Sequence, residues 1–399
     1  MQISLENIQL VAQEQQTAMV AFAQQMVQIP SLSGQEQDIA AMISREMRNL
    51  DYDDVWTDGV GNVIGKIEGG DGPTVLLNGH MDHVDPGPAE GWPYPPFSGK
   101  IVNDELWGRG SVDMKGPVAC MIYAARLFKS LHLAPPGDIL VTVPVMEEVG
   151  GLGTQYLTTQ LEADVAICGE PSHNTLRRGH RGRVELEVTF KGRSAHASLP
   201  HLGVNPHYHV AEFLSHLPQL KMTEQEGVGI STVVPTLYAT DQISPNVIPG
   251  EVKLTLDWRN VPAESPEAIV DRVQKLLDSL SNDNQANVEI STTRLKTYTG
   301  IEENFPAVFP SFLLAEDDPI IKAAHTTLVD VLGRDDGVDI WRFATDGGHL
   351  MTAGIPTIGF GPGDETLAHT NQERISLAQM KEAVVAYAAL ILALAEAAR

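Results

Sequence analysis

At 399 residues the chain is too long for one ordinary hydrophobic core, so two domains are expected. It is 43% hydrophobic and 20% charged, the balance of a globular protein and not of a disordered one. Its 52 Asp and Glu against 27 Lys and Arg give a formal net charge of -25, which argues against nucleic acid or an anionic membrane as partner and serves mainly solubility.

The two cysteines, Cys120 and Cys168, sit in apolar runs and read as buried free thiols, not as a disulfide framework. No basic segment followed by an apolar run opens the chain, so no secretory signal is expected. The longest apolar stretch, Val384 to Ala395, falls short of the roughly 20 residues that span a bilayer. A soluble cytoplasmic protein is the expectation.

In chain order, residues 5–48 carry a helical pattern broken by turns at Pro30 and Gly34. Short apolar runs follow, each ending in a Gly-rich or acidic loop. Thr74–Leu77 runs into Asn78-Gly79-His80, and Ile139–Val145 into Met146-Glu147-Glu148. Val165–Cys168 runs into Gly169-Glu170, and Pro356–Phe360 into Gly361-Pro362-Gly363. Continuous apolar runs of this length suit strands buried on both faces. After Asp113 a helical stripe of Val118, Met121, Ile122, Ala125 and Phe128 appears, and Asp113 itself is read as opening that helix. Strands alternating with helices predict an α/β domain with a mostly parallel sheet.

The middle of the chain is patterned differently. Val184, Leu186, Val188 and Phe190 alternate with Glu185, Glu187, Thr189 and Lys191, and Val252, Leu254 and Leu256 alternate with Lys253, Thr255 and Asp257. Period-2 alternation marks strands with one wet face. Helical patterns at about 204–217 and 264–281 complete a strand–helix–strand–strand–helix–strand order, a ferredoxin-like α+β domain inserted into the larger one. The expected division is a catalytic domain in two parts, 1–179 and 296–399, with an inserted lid or dimerisation domain at 180–295.

His80, Asp82, Glu147, Glu148 and Glu170 fall at the ends of the buried strands, with His369 on the loop after the last one. In an open α/β sheet, ligands bind outside the carboxyl ends of the strands, so residues distant in sequence converge there. Acids and imidazoles gathered in a dry crevice would repel or go unsatisfied, and a pair of divalent cations removes that cost. Imidazole and carboxylate donors without thiolate fit zinc, with cobalt or manganese as alternatives. One bridging carboxylate, two more acids and two histidines can hold two ions about 3.5–4 Å apart, binding a hydroxide and polarising a carbonyl. The adjacent acids Glu147 and Glu148 could serve water and metal separately. Each piece has a plain alternative: a lone His-x-Asp is usually structural, an adjacent Glu pair is usually solvated, Glu170 could cap a turn before Pro171, and His369 could be an ordinary loop residue. The force lies in the joint pattern at strand ends.

The motifs Gly79-His80-Met81-Asp82, Gly108-Arg109-Gly110-Ser111-Val112-Asp113-Met114-Lys115-Gly116, Glu147-Glu148-Val149-Gly150-Gly151 and Gly169-Glu170-Pro171 together resemble the M20 metallopeptidase family. That family includes acetylornithine deacetylases, succinyl-diaminopimelate desuccinylases, aminoacylases and carboxypeptidases. The resemblance extends to Gly192-Arg193-Ser194-Ala195-His196-Ala197-Ser198, to Pro245-Asn246-Val247-Ile248-Pro249 and to Ala368-His369-Thr370-Asn371-Gln372-Glu373. It implies that Asp113 bridges two metals, that His80 and Glu170 complete one position, and that Glu148 and His369 complete the other. It further implies that Asp82 orients His80, that Glu147 is the general base, and that His196 helps hold the oxyanion, often from the partner subunit of a homodimer. The segments Trp341–Gly348 and Gly359–Gly363 are similar to a YgeY-like hydrolase subgroup linked by name to selenium metabolism. Departing from the usual family pattern, His83 and Asp85 follow Asp82 and add polar contacts or none.

The resemblance also places Arg181, Asn246 and Arg259 where a substrate carboxylate is met, since an Arg fork suits a carboxylate. The alternative is that Arg259 merely pairs with Asp257 or Glu251. Trp92, Tyr94 and Phe97 line a pocket mouth or anchor their loop. The expected function is dinuclear-metal-dependent hydrolysis of an amide in an N-acyl amino acid or related small molecule carrying a carboxylate. A dipeptidase or carboxypeptidase would use the same centre. A catalytically dead binding protein is the alternative of another class, favoured only if Glu147, Asp113 or Glu148 were missing, and all three are present. No Gly-rich strand-to-helix fingerprint of a nucleotide-binding enzyme appears.

Overall fold

The structure is a computed structural model describing residues 5–280 and 285–399; Ser281, the end of one expected helical pattern, lies outside them. The chain divides into two compact units. One gathers Met1–His180, Leu295–Glu303 and Leu313–Arg399, and the other gathers Arg181–Arg294 with Asn304–Phe312.

The first unit is built on a mixed nine-stranded sheet. Its central path runs Val63–Ile67, Ile139–Val143, Val75–Asn78, Val165–Cys168, Thr357–Gly359 and Leu176–His180. The four strands from Ile139–Val143 to Thr357–Gly359 are mutually parallel. Val63–Ile67 joins them antiparallel, as does Leu176–His180. Ile139–Val143, Val75–Asn78 and Val165–Cys168 are buried at every position, as their mostly apolar runs require, and the polar members Asn78 and Thr142 are hydrogen-bonded within the sheet. Being parallel, these strands deliver their carboxyl ends, and the loops that carry acids and histidines, to one edge of the sheet.

Helices cover this sheet. Gly116–Ser130 is buried on nearly all sides, beyond the single stripe expected from sequence. Asp113 does not open it: the regular helix starts at Gly116, and Asp113 sits in a preceding irregular turn with φ -123° and ψ 91°. The apolar run Val384–Ala395 extends further than its sequence suggested, into the 21-residue helix Leu377–Ala397. By length and composition that helix could cross a membrane, but its residues Val384, Ala388, Leu390, Ile391 and Leu394 are buried in the unit, where it packs on Gly116–Ser130 and Pro319–Leu332.

The second unit is an antiparallel sheet in the order Thr232–Thr240, Glu251–Arg259, Arg183–Lys191, Gln285–Ile290, with helices Pro206–His216 and Pro266–Ser279. That is the ferredoxin-like strand order. The alternation sets the register: Leu186 lies opposite Leu256, Val188 opposite Leu254, and Phe190 opposite Val252. All six are buried, together with Phe213, Ile269 and Val273 from the helices. The sequence division stopped this unit at 295, yet Asn304–Phe312 also belongs to it, because Val308–Phe309 pairs along Arg183–Val184. So short a strand, in a stretch without alternation, leaves no sequence signal.

Candidate metal centre

Each strand end is shaped to turn sharply. A Cβ on Gly79 would come within 2.4 Å of Met121 and one on Gly169 within 2.7 Å of the same side chain, so glycine lets both turns pack onto the helix below. His80 and Glu170 follow directly. Met146, at φ 58°, and His369, at φ 61°, hold the left-handed backbone that side chains rarely adopt, and each lies next to or at a chemistry-bearing position.

The result is two overlapping donor sets: His80, Asp113 and Glu170, and then Asp113, Glu148 and His369, each with one donor atom per residue within 4.8 Å of the others. Nε2 of His80 lies 3.0 Å from Oδ1 of Asp113 and 3.6 Å from Oε1 of Glu170. Nε2 of His369 lies 3.1 Å from Oδ2 of Asp113 and 3.1 Å from Oε2 of Glu148. Asp113 thus offers one oxygen to each set. Glu147 joins neither; its Oε2 stands 4.0 Å from Nε2 of His80.

Electrostatics describe a place short of positive charge. Burial pushes the Glu170 carboxyl well above the usual range, and Asp113 adds to this. Burial does the same to Glu147, opposed by His80 and reinforced by Asp346, and raises Glu148 with help from Asp113. The histidines respond in kind. His369 is raised to about 10 by its hydrogen bonds to Asp113 and Glu148. Burial alone would depress His80, but Asp113, Asp82, Glu147 and Glu170 lift it well above its usual value. An environment that favours a proton on both imidazoles equally favours a cation beside them. Nδ1 of His80 faces the backbone oxygen of Asp82 at 3.1 Å, which leaves Nε2 as the free donor atom toward Asp113 and Glu170. The donors present therefore fit divalent cations.

Asp82 does more than sequence suggested. Its carboxylate is 3.4 Å from Nδ1 of His80, and it accepts the backbone amides of Glu147 at 3.1 Å and Glu148 at 3.2 Å and the hydroxyl of Ser33 at 2.7 Å. Sequence reasoning missed Glu36, whose buried Oε1 accepts the Met146 amide at 3.2 Å. Burial beside Asp82 raises its carboxyl to about 7. It also missed Asp346, a buried acid whose charge helps raise the Glu147 carboxyl and which accepts the Thr154 hydroxyl at 2.6 Å. An acid before Gly347-Gly348 at a short helix start was the one available signal.

His83 is a structural residue. Its Nε2 accepts the Ser31 amide at 2.9 Å, Nδ1 faces the Val84 oxygen at 2.8 Å, and its ring lies 5.3 Å from that of Phe97. Asp85 accepts the Gly87 amide within its own turn. The aromatic residues anchor their loop: Trp92 donates to the Pro86 oxygen, and Tyr94 meets Trp107 edge-on.

The remaining residues singled out from sequence belong to the second unit. His196 is exposed, and its Nδ1 accepts the Ser198 amide at 3.1 Å. Asn246 accepts the Ser244 hydroxyl at 2.6 Å and, through its backbone oxygen, the Ala197 amide. Arg181 reaches the Val228 oxygen. Arg259 is held by Asp257, at 2.6 Å from Nε and 3.2 Å from Nη2, the alternative left open by the sequence.

The chain is 31% identical over 388 residues to the uncharacterized protein YgeY of Escherichia coli strain K12, covering 95% of both. It is 27% identical over 340 residues to the succinyl-diaminopimelate desuccinylase of Pseudoalteromonas atlantica, covering 81% of this chain and 84% of that protein. Among solved structures it superposes with a TM-score of 0.72 on YxeP of Bacillus subtilis, a dinuclear metal binding peptidase from the M20 family, at 17% identity and covering 96% and 99% of the two chains. With the di-peptidase Dug1p of Saccharomyces cerevisiae the TM-score is 0.75 at 17% identity, covering 98% and 99%. Residues 76–393 match the model of peptidase family M20/M25/M40, so the chain belongs to that family and is a metal-dependent hydrolase acting on amide or peptide bonds.

Proposed function

We propose that the protein is a deacylase that hydrolyses the amide of an N-acyl amino acid or a related small molecule with a free carboxylate. The observation that carries this reading is the sharing of Asp113 between two donor sets. His80, Asp113 and Glu170 would hold one divalent ion, and Asp113, Glu148 and His369 the other, most readily zinc by donor type, with cobalt or manganese as substitutes. When bound, such ions supply Lewis acidity toward the amide carbonyl and the attacking water.

The chain's own residues do the rest. Glu147, the acid left outside both sets, accepts a proton as the water oxygen bonds to the amide carbon. It then returns that proton to the amine nitrogen as the carbon–nitrogen bond breaks, leaving a carboxylic acid and an amine; the acid's remaining proton passes to the amine, so the products are a carboxylate and an ammonium. Asp82 holds His80 and the backbone of Glu147 and Glu148 in place. His196 serves as an oxyanion donor. Because its Nδ1 accepts the Ser198 amide, the neutral ring carries its proton on Nε2, the form a donor needs. Arg181 and Asn246 bind the substrate carboxylate, with Arg259 assisting from its place on Asp257. The resemblance to a desuccinylase over most of both chains supports an acylated amino acid as substrate.

Two copies are proposed to associate along Thr232–Thr240. That strand ends its sheet and exposes Val234, Leu237 and Tyr238, an edge that invites pairing with another strand. Buried, unpaired Cys120 and Cys168 fit a reducing compartment, and the cytoplasm is the proposed location.

The test is a hydrolysis screen of protein reconstituted with Zn²⁺ or Co²⁺ on acetyl-, succinyl- and carbamoyl-amino acids beside dipeptides. Preference for acylated amino acids is expected. Faster cleavage of dipeptides would make the protein a dipeptidase, and no cleavage of any amide by the two-metal form would sink the reading.

A further inference from the structure

Glu373 lies where two donor-bearing loops meet. Its side chain is fully buried. Oε1 accepts the backbone amides of Val112 and Asp113, both at 3.2 Å, and Oε2 takes Nη1 of Arg109 at 2.5 Å. Its own backbone oxygen accepts the Gly108 amide at 3.1 Å. His369, earlier in the same loop, reaches Oδ2 of Asp113. Directly after Glu373 the strand Arg374–Ser376 pairs with Glu105–Trp107, prolonging the tie between the two segments.

The turn at Asp113 needs such a tie. Its φ and ψ are not helical, so no regular ladder of backbone hydrogen bonds fixes the direction of its carboxylate. Two of the turn's amides are instead held by one carboxylate oxygen. The Arg109–Glu373 pair is a poor device for stability alone, since taking two charges out of water cancels much of their attraction. Arg109 is itself buried, with its guanidinium 5.1 Å from the Trp92 ring. What the pair does achieve is a carboxylate locked in one orientation beneath Asp113.

We propose that Glu373, braced by Arg109, is a positioning residue that aims the two oxygens of Asp113 at His80 and His369 and so couples the filling of both metal positions. This rests on the reading that those residues hold the ions. Replacing one member of the pair would strand a buried charge and could unfold the protein. The informative proteins are therefore the double variants Arg109→Met with Glu373→Met, which removes the charges and the acceptor, and Arg109→Met with Glu373→Gln, which keeps an acceptor oxygen. Each is read by Zn²⁺ affinity at both positions through chelator competition, by metal content, and by melting of the metal-free form.

The expected result is a folded Met/Met protein whose affinity falls about 10–100-fold at both positions, the scale seen when a residue supporting a metal ligand is lost. The Met/Gln protein should recover most of that loss. Wild-type affinity in the Met/Met protein, equal loss in both double variants, or a loss confined to one position would overturn the proposal. If the Met/Met protein does not melt cooperatively, Glu373→Asp decides instead. It keeps the charge beside Arg109 but withdraws the acceptor by one methylene, and unchanged affinity at either position would equally overturn it. Wild-type protein that binds no ion would refute the underlying metal assignment, a separate result from the same titration.

Discussion

Oδ1 of Asp82 accepts the backbone amide of Glu147 at 3.1 Å while lying 3.4 Å from Nδ1 of His80. One fully buried carboxylate thus fixes a proposed metal donor and the turn that carries both the proposed base and another proposed donor. Asp82→Asn keeps the size but turns one acceptor into an amide donor facing a backbone N–H. Metal affinity should fall about 10–100-fold, with kcat falling beside it, because a supporting hydrogen-bond partner is lost. Chelator competition and steady-state kinetics check this; unchanged affinity would leave Asp82 a packing residue.

Asp113 and His369 should behave differently. Asp113 offers an oxygen to each donor set, whereas His369 belongs to one. Asp113→Ala is expected to abolish stoichiometric binding at both positions, and His369→Ala at one. Elemental analysis after reconstitution with Zn²⁺ decides between these outcomes. Equal metal content in the two variants would remove Asp113 as the shared ligand.

Much of this candidate site is legible in the sequence, and the reason is physical. Parallel strands buried on both faces must be mostly apolar, so an acid or histidine just past such a run stands out, as His80, Glu147 and Glu170 do. The ferredoxin-like order was readable because period-2 alternation at Val184–Phe190 and Val252–Leu256 marks a one-sided sheet. The roles of Glu36, Asp346 and Glu373 were not readable, although Glu373 and Asp346 lie within motifs that carry the resemblance. Each acts through the backbone or a neighbouring side chain at a place with no periodic pattern, and an acid that holds an amide looks in sequence like any solvated acid. The irregular turn at Asp113 was hidden for the same cause: the helical stripe after it gives no sign of where the regular helix begins.

Stability should depend on His83. Burial, then the nearby Lys115 charge, lowers its pKa from 6.5 to about 4, and both ring nitrogens are engaged in the neutral form. The folded state therefore binds fewer protons than the unfolded chain between those values. Stability from this residue is fully present above about pH 6.5 and is lost as pH falls toward about 4, by on the order of 3 kcal/mol. Urea unfolding of wild type and His83→Asn across that window checks it; the variant should show the flatter dependence, and parallel curves would refute the assignment.

The exposed edge at Thr232–Thr240 gives a prediction about assembly. Leu237 is 68% exposed on the terminal strand of its sheet. If two copies pair there, Leu237→Lys should convert the dimer to a monomer in sedimentation velocity, because a charge on an edge strand opposes pairing. A variant that sediments as wild type would move the interface elsewhere.

The sharpest expectation separates Glu147 from Glu148. Both sit on the turn after Ile139–Val143, but Glu148 meets His369 at 3.1 Å while Glu147 belongs to neither donor set. The backbone of that turn is pinned: Met146 holds a φ of 58° with its amide on Glu36, and the next two amides lie on Asp82. Side-chain replacement should therefore leave the turn in place. Glu147→Gln keeps size and hydrogen bonding but cannot take a proton from water. Normal melting, near-normal metal content and near-normal substrate binding are expected, with kcat lower by about 10²–10⁴, the usual worth of a positioned acid–base group. Glu148→Gln should instead lose metal, and excess Zn²⁺ should restore part of its rate. If Glu147→Gln turned over at the wild-type rate with full metal, the proton would have to travel through another group, and Asp346, the buried carboxyl whose charge Glu147 feels, would be the next to replace.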